Sequence, residues 1–216
     1  RLRDAVLRQV EVAAGKQGLL AGAQGCLGPA GGGDVLATDA TPIQLSDLLD
    51  DKPTLLSFIY TTCDDVNGCP LATYVLSQIN NRIQLDPELK GKVRLLSLSF
   101  DPHNDTPTVM HEYGRNFRDE QTDWQFLTSA DDAALEPILR RYNQSVAREY
   151  DEKGLATTRY SHILRVYLID AESQIRNIYS VSFLHADTII NDIKTLMTGN
   201  PEFHSMNTAA TTSALH

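Results

Sequence analysis

Hydrophobic residues along the chain follow two periodicities, and their alternation predicts the order of strands and helices. A nearly continuous apolar run at 54–60 (Thr-Leu-Leu-Ser-Phe-Ile-Tyr) is typical of a strand buried on both faces. The other predicted strands are 93–100, 124–127, 163–169 and 175–182. The last two are joined by a short polar turn and are expected to form a hairpin.

Helical spacing fills the segments between these strands. After Pro70, a residue favoured in the first turn of a helix, apolar side chains recur every four positions. A second helix is expected to follow Thr106 as its N-terminal cap, with Pro107 as its first residue. The buried faces of the four expected helices are Leu71, Val75, Ile79 and Ile83; Met110, Tyr113 and Phe117; Leu135, Ile138 and Leu139; and Ile189, Ile190, Ile193 and Leu196.

The resulting order of elements, β-α-β-α-β-α-β-β-α, predicts an α/β fold. Its central mixed sheet is expected to have helices on both faces, parallel strands first and a closing antiparallel hairpin. This order is that of a thioredoxin-like fold with one strand–helix unit inserted.

The two ends of the chain differ in composition from its middle. Residues 1–33 are expected to form an N-terminal extension, with a short amphipathic helix near its start and a glycine-rich linker at 22–33. The folded domain is placed at 34–198. The residues 199–216 are rich in Ala, Thr and Ser, and we expect them to form a flexible tail.

Charge and composition exclude several classes of function. The 216 residues carry 19 Lys+Arg against 28 Asp+Glu, with no basic cluster, so the electrostatic footprint of a nucleic-acid-binding protein is missing. A hydrophobic content of 42% is ordinary for a soluble globular protein, and no apolar run is long enough to predict a membrane span. The chain begins with Arg1 rather than Met, which is compatible with removal of a signal peptide or membrane anchor.

Cysteines are the first candidates for chemistry. Cys26 lies alone in the glycine-rich stretch, whereas Cys63 and Cys69 lie between a buried strand and a helix, the edge at which open α/β sheets present reactive groups. The positive end of a helix lowers the pKa of a nearby thiol and favours the thiolate, which serves both metal binding and disulfide exchange. The alternative is a purely structural pair. With three cysteines, at least one is free or paired between chains.

Around these cysteines the sequence resembles the Sco/SenC family. The segment 58–70 (Phe-Ile-Tyr-Thr-Thr-Cys-Asp-Asp-Val-Asn-Gly-Cys-Pro) is similar to the family signature Phe-x-Tyr-Thr-x-Cys-Pro-Asp-Val-Cys-Pro. The segment 99–107 (Ser-Phe-Asp-Pro-His-Asn-Asp-Thr-Pro) resembles a second signature. A third is a histidine five residues before a Tyr-Leu-Ile-Asp strand end, and it matches His162. The resemblance covers residues 34–198.

The resemblance implies a thioredoxin-fold copper protein that acts in the maturation of cytochrome oxidase. It implies copper ligation by Cys63, Cys69 and His162, a soft ligand set that suits Cu(I) and can also hold Cu(II), whereas structural zinc takes four ligands. It also implies that Asp101 lies near the site, where it tunes charge or hydrogen-bonds a ligand; a loop-capping aspartate is the alternative. Family members work outside the cytoplasm, so the bacterial periplasm or the mitochondrial intermembrane space is expected.

The chain departs from the family pattern within the cysteine loop. Five residues rather than three separate the cysteines, because Asn67 and Gly68 form an inserted pair. Asp64 stands where the family signature has proline, and Ile163 replaces the serine after the histidine.

Three functions remain open at this point. The first is a metallochaperone that holds copper and delivers it to a copper enzyme such as cytochrome c oxidase. The second is a thiol–disulfide oxidoreductase that reduces the cysteines of a partner's copper site, with Cys63 as the attacking thiol of the Cys63–Cys69 pair. The third is a non-catalytic subunit whose longer loop and terminal extensions serve docking.

Overall fold

The computed structural model describes residues 26–117 and 122–199. The strands are β1 (Gly28–Pro29), β2 (Asp34–Leu36), β3 (Pro42–Gln44), β4 (Thr54–Ile59), β5 (Arg94–Ser99), β6 (Trp124–Leu127), β7 (Val146–Tyr150), β8 (Ala156–His162), β9 (Arg165–Ile169) and β10 (Gln174–Ser180). The α-helices are α1 (Cys69–Leu85), α2 (Pro107–Gly114), α3 (Asp132–Arg141) and α4 (Ala186–Gly199). The amphipathic helix expected near the start of the chain and the tail after residue 199 lie outside the described residues.

A six-stranded sheet organises the domain, in the order β1-β10-β9-β4-β5-β6. The strands β4, β5 and β6 are parallel, and β9 is antiparallel to both β4 and β10. Every residue of β4 and β5 is buried, so both faces of the sheet are covered. These features confirm the predicted α/β fold, its mixed sheet and its antiparallel closing hairpin.

The predicted helices form where apolar residues recur at helical spacing. α1 begins at Cys69, one residue earlier than expected, and buries Leu76 and Ile79 in the core. α2 begins at the expected cap, where Thr106 Oγ1 accepts a hydrogen bond from the amide of Val109. α1 packs against α4. Among the described residues, no helix combines the length and the apolar character needed to cross a lipid bilayer.

The glycine-rich stretch is packed against the domain in the part that the structure describes, instead of forming the expected linker. β1 pairs with β10, so the sheet begins before residue 34. The hydroxyl of Tyr142, at the end of α3, accepts from the amide of Gly31 and donates to its carbonyl. A Cβ added at Gly31 would overlap Cβ and Cγ of Arg141, so glycine allows this close approach.

The strands β7 and β8 form a hairpin that the sequence did not predict. They make a two-stranded sheet of their own. The strand expected at 163–169 begins only at Arg165, and His162 is the last residue of β8 rather than the start of the next strand. The position of His162 is therefore set by the hairpin.

Candidate functional site

The cysteine loop leaves β4 at the carboxyl end of the sheet and closes at the start of α1. The amide of Cys63 donates to the carbonyl of Tyr60 at 3.3 Å, and the amide of Gly68 donates to the carbonyl of Asp65 at 2.8 Å. A Cβ added at Gly68 would lie only 3.2 Å from Cys63 Sγ. The inserted glycine thus lets the longer loop keep Cys63 beside the first turn of α1.

Cys69 lies at the buried end of the loop. Its side chain is 1% exposed, and its sulfur accepts a hydrogen bond from the amide of Tyr60 at 3.4 Å. The hydrogen bond that its thiol donates to Cys63, together with burial, raises the pKa of Cys69. Cys69 is therefore the protonated member of the pair at neutral pH.

Cys63 is half-buried and has the opposite electrostatic environment. The hydrogen bond from the Cys69 thiol is the main cause that lowers the pKa of Cys63 to about 5, against the opposing effect of burial. The backbone amides of Asp65 and Cys69 and the hydroxyl of Tyr60 donate to the same sulfur. The sequence-based expectation of a thiolate at the helix start therefore applies to Cys63 and not to Cys69. Both thiols are free, as is that of Cys26.

His162 comes to the cysteine loop from the end of β8. Its Nε2 lies 3.6 Å from Cys69 Sγ, across 93 positions of sequence. The half-buried ring packs on Phe100, with centroids 4.9 Å apart, and on Tyr60, at 5.9 Å. Burial lowers the pKa of His162, so the imidazole is neutral at pH 7, the form that binds metals.

The structure thus brings the three predicted ligands together without assembling them into a finished metal centre. Cys69 is in contact with both Cys63 and His162. Within residues 26–117 and 122–199, however, no group of three or more His, Cys, Asp or Glu side chains is arranged to hold a metal ion. At least one of the three side chains must turn before all of them can contact one ion.

Asp101 is almost completely buried next to this cluster. Its carboxylate accepts hydrogen bonds from Tyr160 Oη at 2.9 Å and from Asn104 Nδ2 at 2.8 Å, and Arg148 Nη2 lies 3.6 Å away. Its carbonyl accepts from the amides of Asn104 and Asp105, so the residue also caps its own loop. The carboxylate therefore contacts the hairpin, and the backbone carbonyl makes the loop cap that was the alternative to a role beside a metal ligand.

Asp105 has a structural role at the site that the sequence analysis missed. Its buried carboxylate accepts from the amide of Thr61 at 3.0 Å, from Thr61 Oγ1 at 2.5 Å and from Ser99 Oγ at 2.5 Å. Burial raises the pKa of Asp105. The residue stands in one of the resemblance motifs, but its partner Thr61 is 44 positions away, so no local pattern reveals the contact.

Cys26 does not belong to this cluster. It precedes β1, whose Gly28 pairs with Ile175, and the ladder continues through Ile169 to Thr54, the first residue of β4. Cys63 follows the last residue of that same strand. Cys26 therefore lies at the opposite end of the sheet, where its thiol donates to Gln174 Oε1 at 3.2 Å.

Comparison with known proteins identifies the family. The sequence model named SCO1/SenC matches residues 36–198. The chain belongs to the SCO1/SenC family. A relative of this SCO1/SenC protein, described as a SCO1 protein homolog of Bacillus subtilis, is 23% identical over 145 residues, which make up 67% of this chain and 70% of that protein.

Solved structures resemble this SCO1/SenC protein over most of its length. Copper-bound ScoI of Bradyrhizobium japonicum has a TM-score of 0.63 at 23% identity, covering 78% of this chain and 99% of that one. A SCO1/SenC family lipoprotein of Bacillus anthracis reaches 0.66 at 22% identity, with 81% and 99% covered. BsSco, described as a cytochrome c oxidase assembly protein with a disulfide switch, has 0.62 at 22% identity, with 81% and 96% covered. The likeness confirms the thioredoxin-like fold.

Proposed function

We propose that this SCO1/SenC protein binds one copper ion through Cys63, Cys69 and His162 and delivers it to a copper enzyme such as cytochrome c oxidase. The observation that carries the proposal is the 3.6 Å separation between Cys69 Sγ and His162 Nε2. Nitrogen and sulfur ligands at the bond lengths of about 2.0–2.3 Å known for zinc lie roughly 3.5 Å apart around one ion. The spacing therefore suits two ligands of a single metal.

The chemistry of the three groups supports copper over harder metals. Sulfur ligands select soft ions such as Cu(I), and an imidazole adds the nitrogen donor that Cu(II) favours. Burial already keeps His162 neutral, and Cys63 is already a thiolate at neutral pH. Only Cys69 must lose its proton, and the metal then takes the place of the hydrogen that joins the two sulfurs.

Related proteins support the proposed cargo, client and place of action. ScoI of Bradyrhizobium japonicum was solved with copper bound, and BsSco belongs to a family of cytochrome c oxidase assembly proteins. The Bacillus anthracis relative is a lipoprotein. We therefore assign this chain to the outer side of the cytoplasmic membrane, anchored or in the periplasm, with the mitochondrial intermembrane space as the alternative.

A thiol–disulfide oxidoreductase is the second candidate, because the pKa of Cys63 is lowered whereas that of Cys69 is raised. The Cys63 thiolate would attack a partner's disulfide to give a mixed disulfide, and Cys69 would then displace the partner. The Cys63–Cys69 thiols are thereby oxidised to a disulfide while the partner's disulfide is reduced to two thiols. Mass spectrometry of the oxidised protein is expected to show an intramolecular Cys63–Cys69 bond; a dominant Cys26–Cys63 bond would count against this candidate.

Replacement of His162 by Ala separates the two candidates. Cu(I) accepts two-coordination by thiolates, so its binding is expected to weaken only moderately. Cu(II) loses its nitrogen donor, and its affinity is expected to fall by more than the 10–100-fold typical of mutating a partner outside the ligand shell. Disulfide formation between Cys63 and Cys69 is expected to survive, because both thiols remain.

The matched control is His185→Ala, which removes an exposed imidazole outside the site. Both variants are to be titrated with Cu(I) and Cu(II) beside the parent protein. An unchanged Cu(II) affinity in His162→Ala would remove this histidine from the site and leave the oxidoreductase as the better proposal.

A further inference from the structure

We infer that Asp101 is a positioning residue that holds Tyr160 and thereby sets the place of His162 at the proposed copper site. This inference rests on the proposed function and extends it to residues that do not touch the metal. Tyr160 and Arg148 are the two side chains through which Asp101 acts.

The hairpin that carries His162 lies outside the main sheet and contacts the domain through side chains of β7 and β8. Its two strands pair with each other in a sheet separate from the six-stranded one. Tyr160 and His162 are two positions apart on β8, so their side chains leave the same face of the strand. Both rings pack on the same pair of aromatic residues, Tyr60 and Phe100, with centroids between 4.9 and 5.9 Å apart.

Asp101 supplies the polar anchor beneath these rings. Its carboxylate is 1% exposed and accepts a hydrogen bond from Tyr160 Oη at 2.9 Å. Arg148 pairs with Tyr160 across the hairpin, its guanidinium lies 5.0 Å over the Tyr160 ring, and its Nη2 is 3.6 Å from the same carboxylate oxygen. One buried carboxylate therefore holds both strands.

This anchor is close enough to His162 to control its position. Two residues of extended strand span about 7 Å, so a shift at Tyr160 is transmitted directly to the imidazole. Ring packing alone keeps the plane of the Tyr160 ring but allows the ring to slide within that plane. A hydrogen bond to a buried carboxylate also fixes the position of the hydroxyl. Cys63 and Cys69 are held by the loop and α1, so loosening the hairpin leaves the dithiol in place.

The experiment uses Tyr160→Phe, which removes the hydroxyl and keeps the ring. We expect Cu(II) affinity to fall by about 10–100-fold, with a changed electron paramagnetic resonance spectrum, while Cu(I) affinity changes much less. Asp101→Asn is expected to act in the same direction. Tyr150→Phe is the matched control, because it removes an exposed hydroxyl from the same hairpin, and we expect parental values.

The same substitution in the His162→Ala background separates positioning from a general loss of stability. If Tyr160 acts through His162, Tyr160→Phe has no further effect on Cu(II) affinity once the imidazole is gone. An equal loss in both backgrounds would overturn the inference, as would parental Cu(II) affinity and spectrum in Tyr160→Phe.

A copper-free measurement keeps failure of this inference distinct from failure of the proposed function. In the apo protein, His162 is expected to react faster with diethyl pyrocarbonate in Tyr160→Phe than in the parent or in Tyr150→Phe. If His162→Ala binds Cu(II) like the parent, His162 is not a ligand and the proposed copper site is wrong, whereas an unchanged modification rate would separately reject the positioning role.

Discussion

Arg159 Nη2 lies 2.5 Å from Oδ2 of Asp64, so an ion pair joins the strand that carries His162 to the loop between the cysteines. Asp64 occupies the position at which the family signature has proline. The ion pair therefore gives this chain a link that a proline cannot make. Both side chains are more than half exposed, at 63% and 58%, so solvent and salt weaken the attraction.

Exchange of the two charges tests this link. Asp64→Arg and Arg159→Asp are each expected to lower the stability of the domain slightly, and the double exchange is expected to recover the loss. The coupling free energy of such an exposed pair is small and decreases at high salt. Urea denaturation of the four proteins at low and at high salt measures it. A coupling that is the same at both salt concentrations would show that the ion pair is not its source.

Serine substitutions test which thiols hold copper. Cys63→Ser and Cys69→Ser are each expected to abolish stoichiometric Cu(I) binding, because one thiolate and one imidazole form too weak a site. Cys26→Ser is the control, since Cys26 lies at the opposite end of the sheet. Titration of the reduced proteins with a competing Cu(I) chelator gives the stoichiometry. If Cys63→Ser and Cys69→Ser both bind one equivalent, the ligand assignment is wrong.

The lowered pKa of Cys63 predicts the pH dependence of its alkylation. Only the thiolate reacts, so in the Cys26→Ser background the rate is expected to be half-maximal near pH 5 and constant above about pH 6. Tyr60→Phe removes one hydrogen-bond donor to the sulfur and is expected to move the midpoint to higher pH. Cys69, whose pKa is raised, is expected to react slowly throughout. Iodoacetamide labelling followed by mass spectrometry separates the two sites, and a midpoint near pH 8.5 would contradict the prediction.

The buried carboxylate of Asp105 predicts a stability effect. Asp105→Asn keeps one acceptor oxygen but replaces the other with an NH₂ group, so at least one of the donors on Thr61 and Ser99 loses its partner. An unsatisfied buried donor costs about 1–3 kcal/mol. Thermal and urea unfolding measure this loss. Asp50→Asn, an exchange at an exposed aspartate, is the control and is expected to leave stability unchanged; equal stability of both variants would remove the role given to Asp105.

Much of the fold could be predicted because most of its strands and helices have a characteristic local pattern of apolar residues. The strands β4 and β5 are short, mainly apolar runs, and in α1 buried apolar side chains recur every four positions. The hairpin β7–β8 was missed because both strands are half-exposed and carry polar or charged side chains on both faces. The inward face of the hairpin includes Arg148, Tyr160 and His162, so neither strand shows the apolar–polar alternation that predicts a strand.

The candidate site was predictable only as far as its motifs reach. Cys63 and Cys69 were found from their place between a buried strand and a helix, and His162 from a resemblance, whereas the residues that hold them were not found. Tyr160 donates to Asp101 across 59 positions, and such a contact leaves no periodicity in the sequence. Which of the two cysteines is the thiolate also depends on burial, and burial cannot be read from the sequence.

Cys69 follows Cys63 by six positions, whereas His162 follows Cys69 by 93, so the proposed sulfur and nitrogen ligands become available at different stages of synthesis of the chain. The two sulfurs are neighbours as soon as the loop has been made, even in an unfolded or translocating polypeptide. The imidazole arrives only after the hairpin has been synthesised and has docked. With the proposed ligands, an unfolded chain would already have both thiols available for Cu(I), whereas a Cu(II) centre that includes the imidazole would form only in the native state.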